Sequence, residues 1–96
     1  MTLAQLLGDK RQDILRLATQ HGARNVRVFG SLARGEARPD SDVDILITLE
    51  PERSLLDLIG LQQDLEDLLG CKVDVVTEAS VSPYIRPQVL QDAVAL

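Results

Sequence analysis

Apolar positions along this chain fall into two rhythms, helical spacing and strict alternation, and their order predicts the architecture. Leu3, Leu7, Ile14 and Ala18 recur at helical spacing within residues 2 to 21, where Gly8 weakens the middle and Gly22 is the stop, leaving residues 9 to 20 as the firm part. Val26 and Val28 then alternate with Arg27 and Phe29 in NVRVFG, a short strand ending at Gly30, and a helical turn or two follows from Ser31. In residues 42 to 49, DVDILITL, alternation puts Val43, Ile45, Ile47 and Leu49 on one face of a strand and Asp42, Asp44, Leu46 and Thr48 on the other, with Pro51 closing it.

Ser54, with Asp57 three residues on, caps a helix whose apolar stripe is Leu55, Leu58, Ile59, Leu65, Leu68 and Leu69 and which Gly70 ends. Leu56 and Leu61 fall off that stripe and are the first candidates for a partner surface. CKVDVVT, residues 71 to 77, is the third strand, with Val73 and Val75 on one face and Asp74 and Val76 on the other. A last helix is expected from Tyr84 to Asp92, with Pro87 in its first turn and Tyr84 as an anchoring ring. His21, at the end of the first helix, suits the helix dipole and carries no catalytic expectation.

The resulting order, α-β-α-β-α-β-α, describes an α+β, two-layer fold with a small mixed sheet. Helices on one face of three strands would cover the core and leave the aspartate face open. At 96 residues the chain is expected to be one domain, residues 1 to 96, with a single modest core. Phe29 and Tyr84 are the whole aromatic complement, so that core must be aliphatic and stacking on bases is nearly excluded.

No stretch is long and apolar enough to span a membrane and the start MTLAQLLGDKR lacks the pattern of a signal peptide, so a soluble, cytoplasmic protein is expected. Cys71 stands alone, which excludes an internal disulfide; it reads as a small buried hydrophobe. Charge is divided. Residues 1 to 39 hold seven Lys/Arg against three Asp/Glu, whereas residues 40 to 96 hold three against twelve, within an overall net charge of −5. That split suits a polyanion near Arg34 and Arg38 and cations near Asp42 and Asp44, and it also fits two solvated faces; a basic nucleic-acid binder is disfavoured.

The division gives a reason for Asp42 and Asp44. Two ionised carboxylates on one strand face repel each other, and one would keep its proton unless divalent cations reverse the preference. Magnesium takes hard oxygen ligands, commonly one or two carboxylates together with substrate phosphates, and Asp74 from a neighbouring strand would complete a clamp for two ions. Gly30 lets the backbone approach a phosphate at the start of the Ser31 helix. Arg34 and Arg38 remain open between a phosphate contact and ordinary pairing with Glu36 or Asp40.

Gly30-Ser31, the ten residues after them, Asp42-Val43-Asp44 and the later Asp74 resemble the signature of the DNA polymerase β-like nucleotidyltransferases, and GSLARGEARPDSDVDILI is similar to the minimal nucleotidyltransferases. The stretch from Ser54 to the last residue is similar to antitoxin subunits encoded beside HEPN-domain ribonuclease toxins. The resemblance implies the polymerase β-like fold and AMP transfer from ATP to a toxin tyrosine. It implies two Mg²⁺ ions on Asp42, Asp44 and Asp74, and nucleotide contacts from Gly30, Ser31, Arg34 and Ser41. A hetero-oligomer with the toxin is implied, without direct nucleic-acid or membrane binding. The alternative is an antitoxin that neutralises its partner by binding alone, with the metal site idle.

Overall fold

The computed structural model describes residues 2–36, 38 and 42–96. Helices α1 (Leu3–Leu7) and α2 (Arg11–Gln20) precede strand β1 (Ala23–Phe29), the short α3 (Gly30–Ala33) and strand β2 (Val43–Leu49). Helix α4 (Leu55–Leu69), strand β3 (Val73–Thr77), a 3-10 turn (Glu78–Ser80), helix α5 (Arg86–Asp92) and strand β4 (Val94–Ala95) follow. The sheet order is β3-β2-β1-β4. β2 and β3 are parallel and joined by α4, while β1 runs antiparallel to both β2 and β4.

The mixed sheet is thus as expected in class but has a fourth strand. Val94 and Ala95 pair with Val28 and Arg27 at the sheet edge, so the chain does not end in the last helix. The first helix is two: Gly8 breaks it, and Thr2 caps α1 in a reciprocal capping box with Gln5. β1 starts two residues earlier than the alternation of NVRVFG suggested because it contains a bulge. Between Arg24 and Arg27 it spends one residue more than β2 does, and Asn25 takes up the irregularity at φ 54°. The extra residue is what lets Ala23, Val26 and Val28 all reach the core.

The core lies between that sheet face and the helices. Ile14 and Ala18 from α2 and Leu61, Leu65 and Leu69 from α4 meet Val26, Val28, Val43, Ile45, Ile47, Val73 and Val75. Ser54 and Asp57 form the expected capping box, and Gly70 ends α4 in the left-handed conformation. The stripe is rotated from the expected one, however. Leu61 is 1% exposed and central to the core, whereas Leu55 and Ile59 are exposed beside Leu56, which is 78% exposed. Leu55 and Leu56, in the first turn of α4, therefore do not face inward.

Side chains of α4 also protect the edge of the sheet. The outward N–H groups of Val73 and Val75 on β3 donate to Glu66 Oε2 and Gln62 Oε1, each at 3.2 Å, which occupies donors that another strand could otherwise use. His21 joins α2 to α4: its Nε2 is 2.7 Å from Asp64 Oδ2 and its Nδ1 is 3.9 Å from Asp57 Oδ1. Gly60 lies under the ring, where a Cβ would stand 2.9 Å from Cε1. Cys71 is partly buried against the core, and burial pushes its thiol pKa up.

The second face of the sheet is not wholly open. Leu46 is fully buried there, Val81 is buried, and Arg27, level with Leu46 on the neighbouring strand, bonds across to Glu78 of the 3-10 turn at 2.5 Å. Tyr84 is 96% exposed, so it does not serve as an anchor within this chain. The helix begins after it, at Arg86, with Pro87 in the first turn where its missing N–H is harmless.

Candidate active site

Parallel pairing sets Asp44 directly opposite Asp74, as Val43 is opposite Val73 and Ile45 opposite Val75. Residues paired across neighbouring strands share a face, so both aspartates project away from the aliphatic core. They are half-buried. Asp42 precedes the strand, and its side chain is 43% exposed with Oδ2 3.9 Å from Lys72 Nζ.

This crowding has an electrostatic signature. The Asp44 carboxyl is held above the ordinary carboxylate range, first by burial and then by the charges of Asp74 and Asp42, while Arg34 opposes the rise. Extra negative charge here is unfavourable until a cation arrives, which is the donor chemistry that suits a hard divalent metal. Among the described residues, no three His, Cys, Asp or Glu side chains are gathered closely enough to hold a metal ion as they stand. Asp44 and Asp74 form the converged pair, and Asp42 is the nearby third member.

Gly30 lets the Asp44 carboxylate lie against the start of α3. It has φ 76°, a region that L-residues with a side chain rarely adopt, and a Cβ there would overlap Asp44 Oδ2. Phe29, immediately before it, is level with Asp44 on the antiparallel neighbour, so the start of α3 and the D-x-D strand are brought together by sheet register. Ser31 follows within α3, and Leu32 anchors that turn in the core.

Arg34 caps the C-terminal end of α3. Its Nε donates to Glu36 Oε2 at 3.1 Å and its Nη1 to Asp92 Oδ2 at 3.0 Å, and these bonds, Glu36 first, reinforce its charged form. Of the two expectations for Arg34, carboxylate pairing is the one the structure displays, with Asp92 beside the expected Glu36, and the arginine's charge is also felt at Asp44. Ser41 and Asp40 lie outside the described residues. Arg38 is exposed.

Two ion-pair partners of these residues escaped the sequence reading. Lys72 faces Asp42, and the only sequence signal was its place two residues before Asp74. Asp92 comes from 58 residues beyond Arg34, and nothing in the helical spacing of the last segment marked it as part of this site.

A further cavity of about 580 Å³ lies at the opposite ends of β2 and β3, lined by Ile47, Thr48, Leu49, Thr77, Glu78 and Arg86 among others. It contains none of the three aspartates.

Comparison with known proteins decides the family. A model of the nucleotidyltransferase domain matches residues 11–96. The chain belongs to the nucleotidyltransferase domain family. The nucleotidyltransferase is 47% identical over 78 residues to the protein adenylyltransferase MntA of Thermococcus cleftensis, covering 81% of this chain and 79% of that one. It is 38% identical over 88 residues to a Methanocaldococcus jannaschii protein named for protein adenylyltransferase activity, covering 92% and 95%. A solved structure described as a minimal nucleotidyltransferase superposes with a TM-score of 0.88 at 50% identity, covering 100% of this chain and 97% of the other. The same nucleotidyltransferase fold recurs in a toxin–antitoxin structure with AMP-PNP, at TM-score 0.75, 24% identity, and coverage of 88% and 69%. It recurs again in a complex of a tri-AMPylated Shewanella oneidensis HEPN toxin with its MNT antitoxin, at TM-score 0.66, 22% identity, and coverage of 88% and 66%. The expectation of a minimal nucleotidyltransferase with an α+β fold is met.

Proposed function

We propose that this minimal nucleotidyltransferase transfers AMP from ATP to a tyrosine of a HEPN ribonuclease toxin and so acts, in the cytoplasm, as that toxin's antitoxin. The observation that carries the reading is the register of Asp44 with Asp74 beside Gly30, whose absent side chain leaves the Asp44 carboxylate unobstructed. Relatives named as protein adenylyltransferases and the toxin–antitoxin structures of the same fold support the acceptor class.

Asp42, Asp44 and Asp74 would hold Mg²⁺, which neutralises triphosphate charge and lowers the pKa of the attacking hydroxyl. Gly30 and Ser31 bind the β- and γ-phosphates, and Arg34 adds a cationic contact on the same side. Asp74 would serve the acceptor side by holding the metal that helps the tyrosine hydroxyl lose its proton to solvent. The tyrosine oxygen forms a bond to the α-phosphorus as the bond from that phosphorus to the β-phosphate oxygen breaks, and pyrophosphate leaves with the electron pair. Positioning and charge neutralisation supply most of the acceleration in such a transfer.

A second reading, neutralisation by occupancy alone, draws on the exposed Leu55, Leu56 and Ile59 of α4, an apolar surface available to a partner whether or not AMP moves. One experiment separates them. The purified protein is mixed with Mg²⁺, labelled ATP and the HEPN product of a neighbouring gene, and the toxin is analysed by mass spectrometry. AMP on a tyrosine, abolished by Asp42→Ala with Asp44→Ala, supports transfer. Neutralisation that persists in the double variant without any AMP supports occupancy.

A further inference from the structure

We infer that Asp92 is a positioning residue for nucleotidyl transfer, fixing the guanidinium of Arg34 at the triphosphate side of the site. The inference rests on the proposed AMP transfer and adds to it a residue from the far end of the chain.

The argument starts from the freedom of an arginine. A guanidinium on a flexible stem contributes little to phosphate binding unless something restrains it, since ordering the side chain costs entropy that the new bonds must offset. Arg34 follows directly on the four-residue α3, and among the described residues its local carboxylate partner is Glu36, exposed and two residues away. An exposed pair of this kind restrains weakly. Asp92 differs in each respect: its side chain is 12% exposed, and it belongs to the last residue of α5.

Asp92 is itself fixed. Its Oδ1 accepts from Gln88 Nε2 at 3.0 Å, one helical turn earlier, while Oδ2 accepts from Arg34 Nη1 at 3.0 Å. Both bonds favour its ionised form, Arg34 most strongly, so it presents a permanent charge to the arginine. The bonds described for Arg34 use Nε and Nη1, which sets the plane of the guanidinium and leaves its Nη2 edge for a phosphate oxygen. α5 contains no buried residue, so its packing on α3 does not come from the core. The link to Arg34 therefore does more than decorate a surface: it connects the element after β3 to the turn that follows Gly30 and Ser31.

The test compares wild type with Asp92→Asn, Asp92→Glu, Arg34→Ala and Arg34→Ala/Asp92→Asn. Asp92→Asn is expected to raise KM for ATP about tenfold, the loss of one charge-assisted restraint, with kcat within about twofold. Binding of ATP to the free protein weakens in step, binding of AMP does not, and Asp92→Glu recovers most of the loss. In the Arg34→Ala background Asp92→Asn should add nothing, because Asp92 acts through Arg34. Equal weakening of ATP and AMP, an additive effect in that background, or unchanged ATP affinity would overturn the inference. Should Asp92→Asn fold poorly, Gln88→Ala loosens the same carboxylate without removing it and is expected to shift ATP affinity in the same direction, and no shift would count against the role. A wild-type protein that binds ATP yet modifies no toxin would defeat the transfer reading alone, since the ATP-against-AMP comparison still judges Asp92.

Discussion

Replacing Gly30 by alanine probes the junction on which the site depends. At φ 76° an alanine stands in the left-handed region, which costs about 1–2 kcal/mol for an L-residue. The new Cβ would also overlap Asp44 Oδ2, and the carboxylate, flanked by Asp74 on the next strand, must rotate away from it. Displacing a half-buried charge from its place adds about 1 kcal/mol by analogy with other strained substitutions, for a total near 2–3 kcal/mol. Urea denaturation should show a lower midpoint with an unchanged slope, and thermal melts a fall of about 10 °C or more for a domain of this size. A double-mutant cycle divides the two contributions. With Asp44→Ala in place the steric part disappears and only the backbone part remains, so the coupling should be about 0.5–1 kcal/mol. Gly30→Ala within about 0.5 kcal/mol of wild type, or strict additivity with Asp44→Ala, would refute the claim that Gly30 exists to admit the carboxylate.

Three other outcomes are expected. Because burial and its acidic neighbours raise the Asp44 pKa in the folded protein, its contribution to stability is full below the ordinary carboxylate range and is lost as pH rises through the elevated value. Asp44→Asn should therefore melt higher than wild type near neutral pH, with the advantage vanishing in acid; a melt equal to wild type at both ends would contradict the crowding. Leu61→Ala should cost about 2–4 kcal/mol because the side chain is fully enclosed, whereas Leu56→Ala should stay within about 0.5 kcal/mol, as measured by urea denaturation. In a pull-down with the toxin, Leu56→Lys is expected to weaken capture while leaving the melting temperature unchanged, and unchanged capture would remove that face from the partner surface.

Strand alternation made the aspartate face legible from sequence, because a period of two is insensitive to everything except bulges and register. Alternation puts Asp42 and Asp44 on one face of the expected strand 42–49 and Asp74 on the matching face of the third; the observed β2 begins at Val43, just after Asp42, and parallel pairing sets Asp44 level with Asp74. Helix caps were equally readable: Ser54, Asp57 and Gly70 act locally, through bonds within a few residues. What escaped was non-local. The bulge at Asn25 shifted the start of β1, and Val94–Ala95 is a strand only because β1 offers it an edge. Leu61 and Ile59 exchange roles because the rotation of α4 is set by its packing on the sheet, where Leu61, Leu65 and Leu69 enter the core, and spacing along one helix does not encode that. Tyr84 has the chemistry of an anchor, yet it lies in the turn before α5 and is exposed. The bond from Arg34 to Asp92 spans 58 residues of sequence and has no local signature.

The central claim, that the face carrying Asp42, Asp44 and Asp74 moves AMP onto a partner protein, is tested most directly by the intact mass of the HEPN toxin after incubation with ATP, Mg²⁺ and either wild type or the Asp42→Ala/Asp44→Ala variant. The account predicts a gain of one or more AMP units with wild type and none with the variant, while the variant's melting temperature is equal or higher. An equal gain with both proteins, or no gain with wild type in the presence of bound ATP, would contradict it.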